Sequence, residues 1–247
     1  MIEAHNLSKS FRDSKRGLVN AVNGVSFNCQ PGQIFGLLGA NGAGKTTTLR
    51  MLATLLQPTR GSAKLANYDV VKASEKVRQN IGYLSNSTAL YGRLSAREMI
   101  EYFGRLNSIP EKKLQGRIDE LIQRLEITDF QHGHCDKLST GQKQRVSIAR
   151  SIVHAPPVMI FDEPTSGLDI MTSQTIMTFI EQCRSDGLTV LFSTHIMSEV
   201  ERLCDEIAII HHGRVVSTGT VDSLRESTGE HALENAFLNI VKGANNA

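Results

Sequence analysis

No stretch of this sequence approaches the roughly 18 consecutive apolar residues that a membrane-crossing helix needs, so the chain is expected to reach a bilayer only by docking on another protein. Its first twenty residues alternate polar and apolar side chains without a hydrophobic block, and no secretory signal is expected there. An excess of one charge is missing too. The 27 Lys and Arg stand against 25 Asp and Glu, a net charge of +2 that argues against a general nucleic-acid binder. Only four cysteines occur, Cys29, Cys135, Cys183 and Cys204, far apart and without a CxxC pair, which excludes a disulfide framework and a zinc ribbon. The run His132-Gly133-His134-Cys135 crowds three metal-ligand types together, but no second cluster completes a site, and it reads as a polar loop. Internal repeats and low-complexity segments are absent. A cytosolic globular chain is the expectation.

What is present is an ordinary core-forming composition: 247 residues, 40% hydrophobic and 21% charged, enough for one large domain or a core with an inserted subdomain. Alternation through 2–11 and 21–27 predicts two antiparallel strands with a polar turn over 12–17. The apolar run 33–38 predicts a buried strand, 45–56 a helix closed by Pro58 and Gly61, and 81–84 another strand. From Ser95 to His154 the strand pattern gives way to three helices, over 96–106, 111–125 and 141–154. Strand and helix then alternate again: strands at 158–161 and 189–193, helices at 170–184 and 196–203. Strands at 207–210 and 214–217 follow, with His211-His212-Gly213 as their hairpin turn. This order predicts an α/β chain with a mostly parallel sheet and helices on both faces, an N-terminal antiparallel side sheet and an inserted all-helical subdomain. Residues 1–86 and 155–225 would form the core with its side sheet, 87–154 the helical subdomain, and 226–247 a helical tail.

The chemistry concentrates in two places. Gly39, Ala40, Asn41, Gly42, Ala43, Gly44, Lys45 and Thr46 match G-x-x-x-x-G-K-[ST] at every fixed position, between a predicted strand and a predicted helix. Glycines let the backbone curl so that successive N–H groups point at phosphate oxygens, and the helix dipole favours the same anion. Lys45 adds a charge for the β- and γ-phosphates, the Thr46 hydroxyl is a Mg²⁺ ligand, and Thr47 closes the set. The fold expected is therefore that of a RecA-like P-loop NTPase. The apolar strand 158–161 then ends in Asp162 and Glu163. Buried acids are costly unless they meet a cation, so Asp162 is expected to support Mg²⁺ and Glu163 to orient or deprotonate the attacking water.

Two more segments, Leu138-Ser139-Thr140-Gly141-Gln142 and Ser166-Gly167-Leu168-Asp169, complete a series whose order and spacing resemble the ATP-binding cassette (ABC) family over residues 1–225. The resemblance implies an ATPase subunit of an ABC transporter, using ATP and Mg²⁺. It gives His195 the role of γ-phosphate switch and Phe11 that of an adenine-stacking ring. It also implies a head-to-tail pair with a second copy, in which Ser139, Gly141 and Gln142 reach the partner's ATP and Asp169 lies at the seam. Two positions depart from the family pattern. Thr140 stands where glycine is usual, which is expected to restrict the backbone and weaken closure. Asn86 stands where a glutamine often reaches Mg²⁺ and the water, and is one methylene shorter.

The segment 90–98 resembles the approach to the family's helical subdomain, where a membrane permease subunit docks; Tyr91 and Leu94 are candidate anchors. The tail 232–241 resembles that of ABC-2-type exporters, including a NatA-like branch that exports Na⁺ and relatives that export drugs or lipid-like molecules. The implied location is the inner face of the cell membrane, held there by the permease, with no nucleic acid bound. A soluble ABC ATPase acting on ribosomes or DNA is the alternative, but the chain has neither a second cassette nor a coiled-coil insertion. A P-loop kinase is disfavoured by 138–142 and His195.

Overall fold

The computed structural model describes residues 1–15, 17–85 and 89–245. The chain begins β1 (Ile2–Asp13), β2 (Gly17–Cys29), β3 (Ile34–Leu38), α1 (Lys45–Leu52), β4 (Arg60–Leu65), β5 (Tyr68–Asp69), α2 (Ser74–Gln79) and β6 (Ile81–Leu84). Three helices follow, α3 (Ala96–Leu106), α4 (Glu111–Arg124) and α5 (Thr140–Ile152). The rest is β7 (Val158–Asp162), α6 (Ile170–Ser185), β8 (Thr189–Thr194), α7 (Met197–Leu203), β9 (Glu206–His211), β10 (Arg214–Gly219), α8 (Val221–Thr228) and α9 (Leu233–Asn245).

Two sheets result. β2, β1, β4 and β5 lie side by side in that order in an antiparallel sheet; the larger sheet runs β10-β9-β3-β8-β7-β6 and is parallel except for the β9–β10 hairpin. Every residue of β3 and β7 is buried, the mark of strands covered on both faces. Alternate side chains serve opposite cores. Met159, Phe161, Val190 and Phe192 pack with α3 to α6, whereas Val158, Ile160 and Leu191 pack with α1 and the antiparallel sheet. A smaller core of Val200, Ile207, Leu224 and Leu233 ties α7, α8 and α9 together.

Several element ends differ from expectation. α1 stops at Leu52 rather than 56, because Thr54 turns left-handed (φ 63°) and the amides of Leu55 and Leu56 both return to the Arg50 carbonyl. α5 starts at Thr140, directly after its cap, and ends at Ile152. The β9–β10 turn behaves as read: His212 and Gly213 both have positive φ (46° and 75°), as a tight two-residue hairpin requires.

Register fixes where a ligand can sit. β3 pairs with β8 so that Leu38 is level with Thr194, and β8 pairs with β7 so that Ser193 is level with Asp162. The carboxyl ends of the three central strands therefore finish together, and the loops beyond them share one edge. In open α/β sheets that edge is where ligands bind.

Candidate active site

The glycine-rich loop leaves β3 under close constraint. A Cβ on Gly39 would fall 2.3 Å from the Ile210 carbonyl oxygen, and one on Gly44, at φ 108°, would fall 2.6 Å from that of Ala21. Only glycine fits either place, and the loop is thereby pinned against both sheets. It walls a recess of about 380 Å³ formed by residues 41–47 with Ala21, Glu163 and Ser166. Gly39 and Ala40 contribute their carbonyls instead. Lys45, 4% exposed, donates to Gly39 O at 2.7 Å and to Ala40 O at 3.2 Å, and its ammonium lies 3.0 Å from Glu163 Oε1. An ammonium has three donors, so a phosphate must compete with one of these partners, and Glu163 is the one carried on another loop.

Asp162 is 1% exposed. Its Oδ1 accepts from Thr46 Oγ1 at 3.0 Å and from Ser193 Oγ at 2.8 Å, while its Oδ2 is buried without a partner among the described residues. Burial is the main force pushing this carboxyl above the ordinary aspartate range, with the Glu163 charge adding to it. A buried acid carrying a spare oxygen beside a threonine hydroxyl suits a hard divalent cation. The residues fit Mg²⁺.

Glu163 takes a left-handed backbone (φ 48°), and its Oε1 also lies 3.4 Å from His195 Nδ1. Thus Lys45, Asp162, Glu163 and His195 gather at one edge, as register dictates. Phe11 is 38% exposed, under the Lys9 ammonium, and is not part of the recess wall. It pairs with Val19, two residues along β2 from Ala21, which is part of that wall.

Ser139, Gly141 and Gln142 do not line the recess of their own chain. Ser139 and Gln142 form a reciprocal cap on α5, Ser139 Oγ accepting from the Gln142 amide at 3.2 Å and Gln142 Oε1 from the Ser139 amide at 2.9 Å. Thr140 is exposed, helical and free of positive φ. A β-branched residue takes that backbone without strain, so in this conformation the departure from glycine costs the helix nothing; what it adds is surface bulk. Gly141 is the position that needs glycine. A Cβ there would lie 2.7 Å from Thr172 Oγ1 and 2.9 Å from its Cγ2. Thr172 is itself held by Asp169, which caps α6 by accepting from the Thr172 amide at 2.9 Å and hydroxyl at 2.7 Å. Those bonds hold the Asp169 carboxyl below its ordinary range. Gly141→Ala should accordingly push Thr172 off its cap and cost about 1–3 kcal/mol by overpacking; an unchanged denaturant midpoint would refute the contact.

Other segments singled out in the sequence divide between core and surface. Cys135 is buried in the core, whereas His132 and His134 are exposed. Leu94 packs against the same core, leaving Tyr91 as the outward residue of that pair. Tyr91 meets Tyr102 edge-on at 5.6 Å, and Tyr102 and Leu106 continue an exposed apolar strip along α3; their i, i+4 spacing was the available signal. Asn86 lies outside the described residues. Sequence reasoning missed Ser193, Gln144 and Glu199, buried polar residues whose partners become visible only once the strands are aligned.

Comparison with known proteins supplies the context. The family profile described as "ABC transporter" matches residues 22–166. The ABC transporter ATP-binding protein NatA of Bacillus subtilis is 41% identical over 245 residues, covering 98% of this chain and 99% of that protein. A solved ATP-binding subunit of an ABC transporter superposes with a TM-score of 0.87 at 28% identity, over 97% of this chain and 99% of the other. A dimeric ATP-binding cassette in a post-hydrolysis state, bound to ADP and Pi, superposes at 0.81 with 26% identity, over 89% of this chain and 98% of that one.

Proposed function

The chain belongs to the ABC transporter family as a subunit that binds and hydrolyses ATP, and from that premise we propose that it powers an exporter whose membrane path lies in a separate permease. No helix among the described residues is long and apolar enough to cross a membrane. The exposed strip Tyr91, Tyr102 and Leu106 is the surface offered to the permease, which holds the ATPase at the inner face of the cell membrane. Na⁺ ranks first among substrates, on the resemblance of the tail, with drug- or lipid-like molecules second.

The observation that carries the catalytic part of this reading is the 3.0 Å approach of Lys45 to Glu163 at the mouth of the phosphate recess. The loop amides and the N-terminus of α1 bind the phosphates. The γ-phosphate takes the Lys45 donor that Glu163 occupies, and the released carboxylate accepts the proton of the water that attacks phosphorus, giving ADP and phosphate. Thr46 and Asp162 would hold Mg²⁺, which would supply positive charge to offset that of the phosphates. His195, beside Glu163, reads the γ-phosphate. A second copy, head to tail, brings its Ser139, Gly141 and Gln142 to the same ATP.

The test is recovery of the tagged chain from its own host in mild detergent. An integral membrane protein should come with it, and loss of the gene should make growth sensitive to added NaCl. Recovery with ribosomes or DNA instead would overturn the transport reading. A membrane partner without salt sensitivity would move the substrate away from Na⁺.

A further inference from the structure

Glu163 is held in a backbone conformation that side-chain-bearing residues rarely adopt, and it precedes Pro164, whose ring narrows the choices of the residue before it. Such a conformation persists only where the surroundings over-determine it. On one side the Glu163 amide donates to the Ser193 carbonyl at 3.1 Å and hydroxyl at 3.2 Å. On the other, the Pro164 carbonyl accepts from Gln144 Nε2 at 2.7 Å, in a buried contact from α5. One residue on, the Thr165 hydroxyl donates to one oxygen of the Glu199 carboxyl, whose other oxygen accepts from Thr194 Oγ1 at 2.6 Å. Thr194 immediately precedes His195, and its hydroxyl also accepts from the Ile196 amide at 3.0 Å.

Gln144, Thr165, Thr194 and Glu199 are each at most 7% exposed, and none of them lines the phosphate recess. Buried polar groups must find partners, and here the partners are the backbone and hydroxyls that flank Glu163 and His195. We propose that Gln144 and Glu199 are positioning residues for hydrolysis. Glu199 from α7 ties the turn after Glu163 to the turn at His195, so that the two move as one piece. Gln144 sits on α5 five positions after Ser139. The aim of the Glu163 carboxylate therefore depends on the attitude of α5, and a nucleotide that engages the start of α5 is felt at the Pro164 carbonyl of the same chain.

The proposal rests on the reading of Glu163 as the water-activating group, and a double-mutant cycle on the full chain separates the two. Gln144→Met keeps the volume and removes the donor. It should lower kcat at least ~tenfold, because small misplacements of a reacting group cost that much or more, with ATP affinity unchanged. In a Glu163→Gln background the residual single-turnover rate should be insensitive to Gln144→Met, since the group being aimed is already gone. Equal fold-losses in both backgrounds, or a loss of ATP affinity in step with kcat, would overturn the proposal. Near-native turnover of Glu163→Gln alone would instead remove the base reading, and the proposal with it. Should Gln144→Met not fold, Glu199→Gln carries the same cycle; it keeps its shape and one acceptor, so a smaller loss with the same non-additivity is expected.

Discussion

Glu163→Gln is expected to bind ATP at least as well as the native chain and to turn it over at least ~10²-fold more slowly, the usual consequence of removing a general base. Two contacts give the direction of each effect. The amide keeps the shape of the carboxylate but loses the charge that sits 3.0 Å from Lys45, so Lys45 is freer for phosphate and affinity holds or rises. The same change removes the only acid that lines the recess among the described residues; Asp162, just behind it, turns one oxygen to both Thr46 and Ser193. With binding intact and hydrolysis blocked, the ATP-bound dimer should accumulate, visible as a second, faster species in gel filtration with ATP. Native phosphate release from this variant would take the proton-accepting role away from Glu163.

The phosphate loop and the acid pair were legible in the sequence because the ligand itself dictates the spacing. Backbone amides must curl around an anion, and Gly39 and Gly44 tolerate no Cβ where they touch Ile210 and Ala21. His195 and Phe11 were singled out only through resemblance, since a histidine after a strand and a phenylalanine in one carry no signal of their own. β4 escaped the hydrophobic pattern because only Ala63 and Leu65 of its six residues are buried. It is a strand because β1 offers it partners, Ala4 to Ala63 and Ile2 to Leu65, and such pairing depends on tertiary context more than on local preference. The clamp around Glu163 was invisible for a related reason. Gln144 and Pro164 are 20 residues apart, and Thr165 and Glu199 are 34, so neither contact leaves a periodic trace. Thr140 shows the opposite case, a signal that the local backbone does not explain. A departure from the family pattern suggested a backbone constraint, yet the residue that needs glycine is its neighbour, Gly141, because Thr172 fills the space beside it.

The composite site makes the other large prediction. Lys45→Ala removes the buried ammonium that faces the recess, and both Mg-ATP affinity and turnover should collapse. Ser139→Arg leaves the recess of its own chain intact, since Ser139 is no part of that wall, but places bulk and charge on the exposed start of α5. It also removes a helix cap worth about 1 kcal/mol, too little to unfold a domain of this size, so both variants should be recovered folded. Each alone should be inactive for opposite reasons: one cannot hold phosphate, the other cannot close on a partner's ATP. In a mixed dimer one site carries both defects and the other carries neither. Some ATPase activity should therefore return on mixing, with a maximum near equal proportions. In the native chain, activity should rise faster than linearly with protein concentration, because a slow monomer must pair before it hydrolyses. Rates strictly proportional to concentration, from a chain shown to be monomeric with ATP bound, would mean that Ser139 and Gly141 serve only their own helix. The cap bonds to Gln142 and the packing against Thr172 would then be their whole purpose.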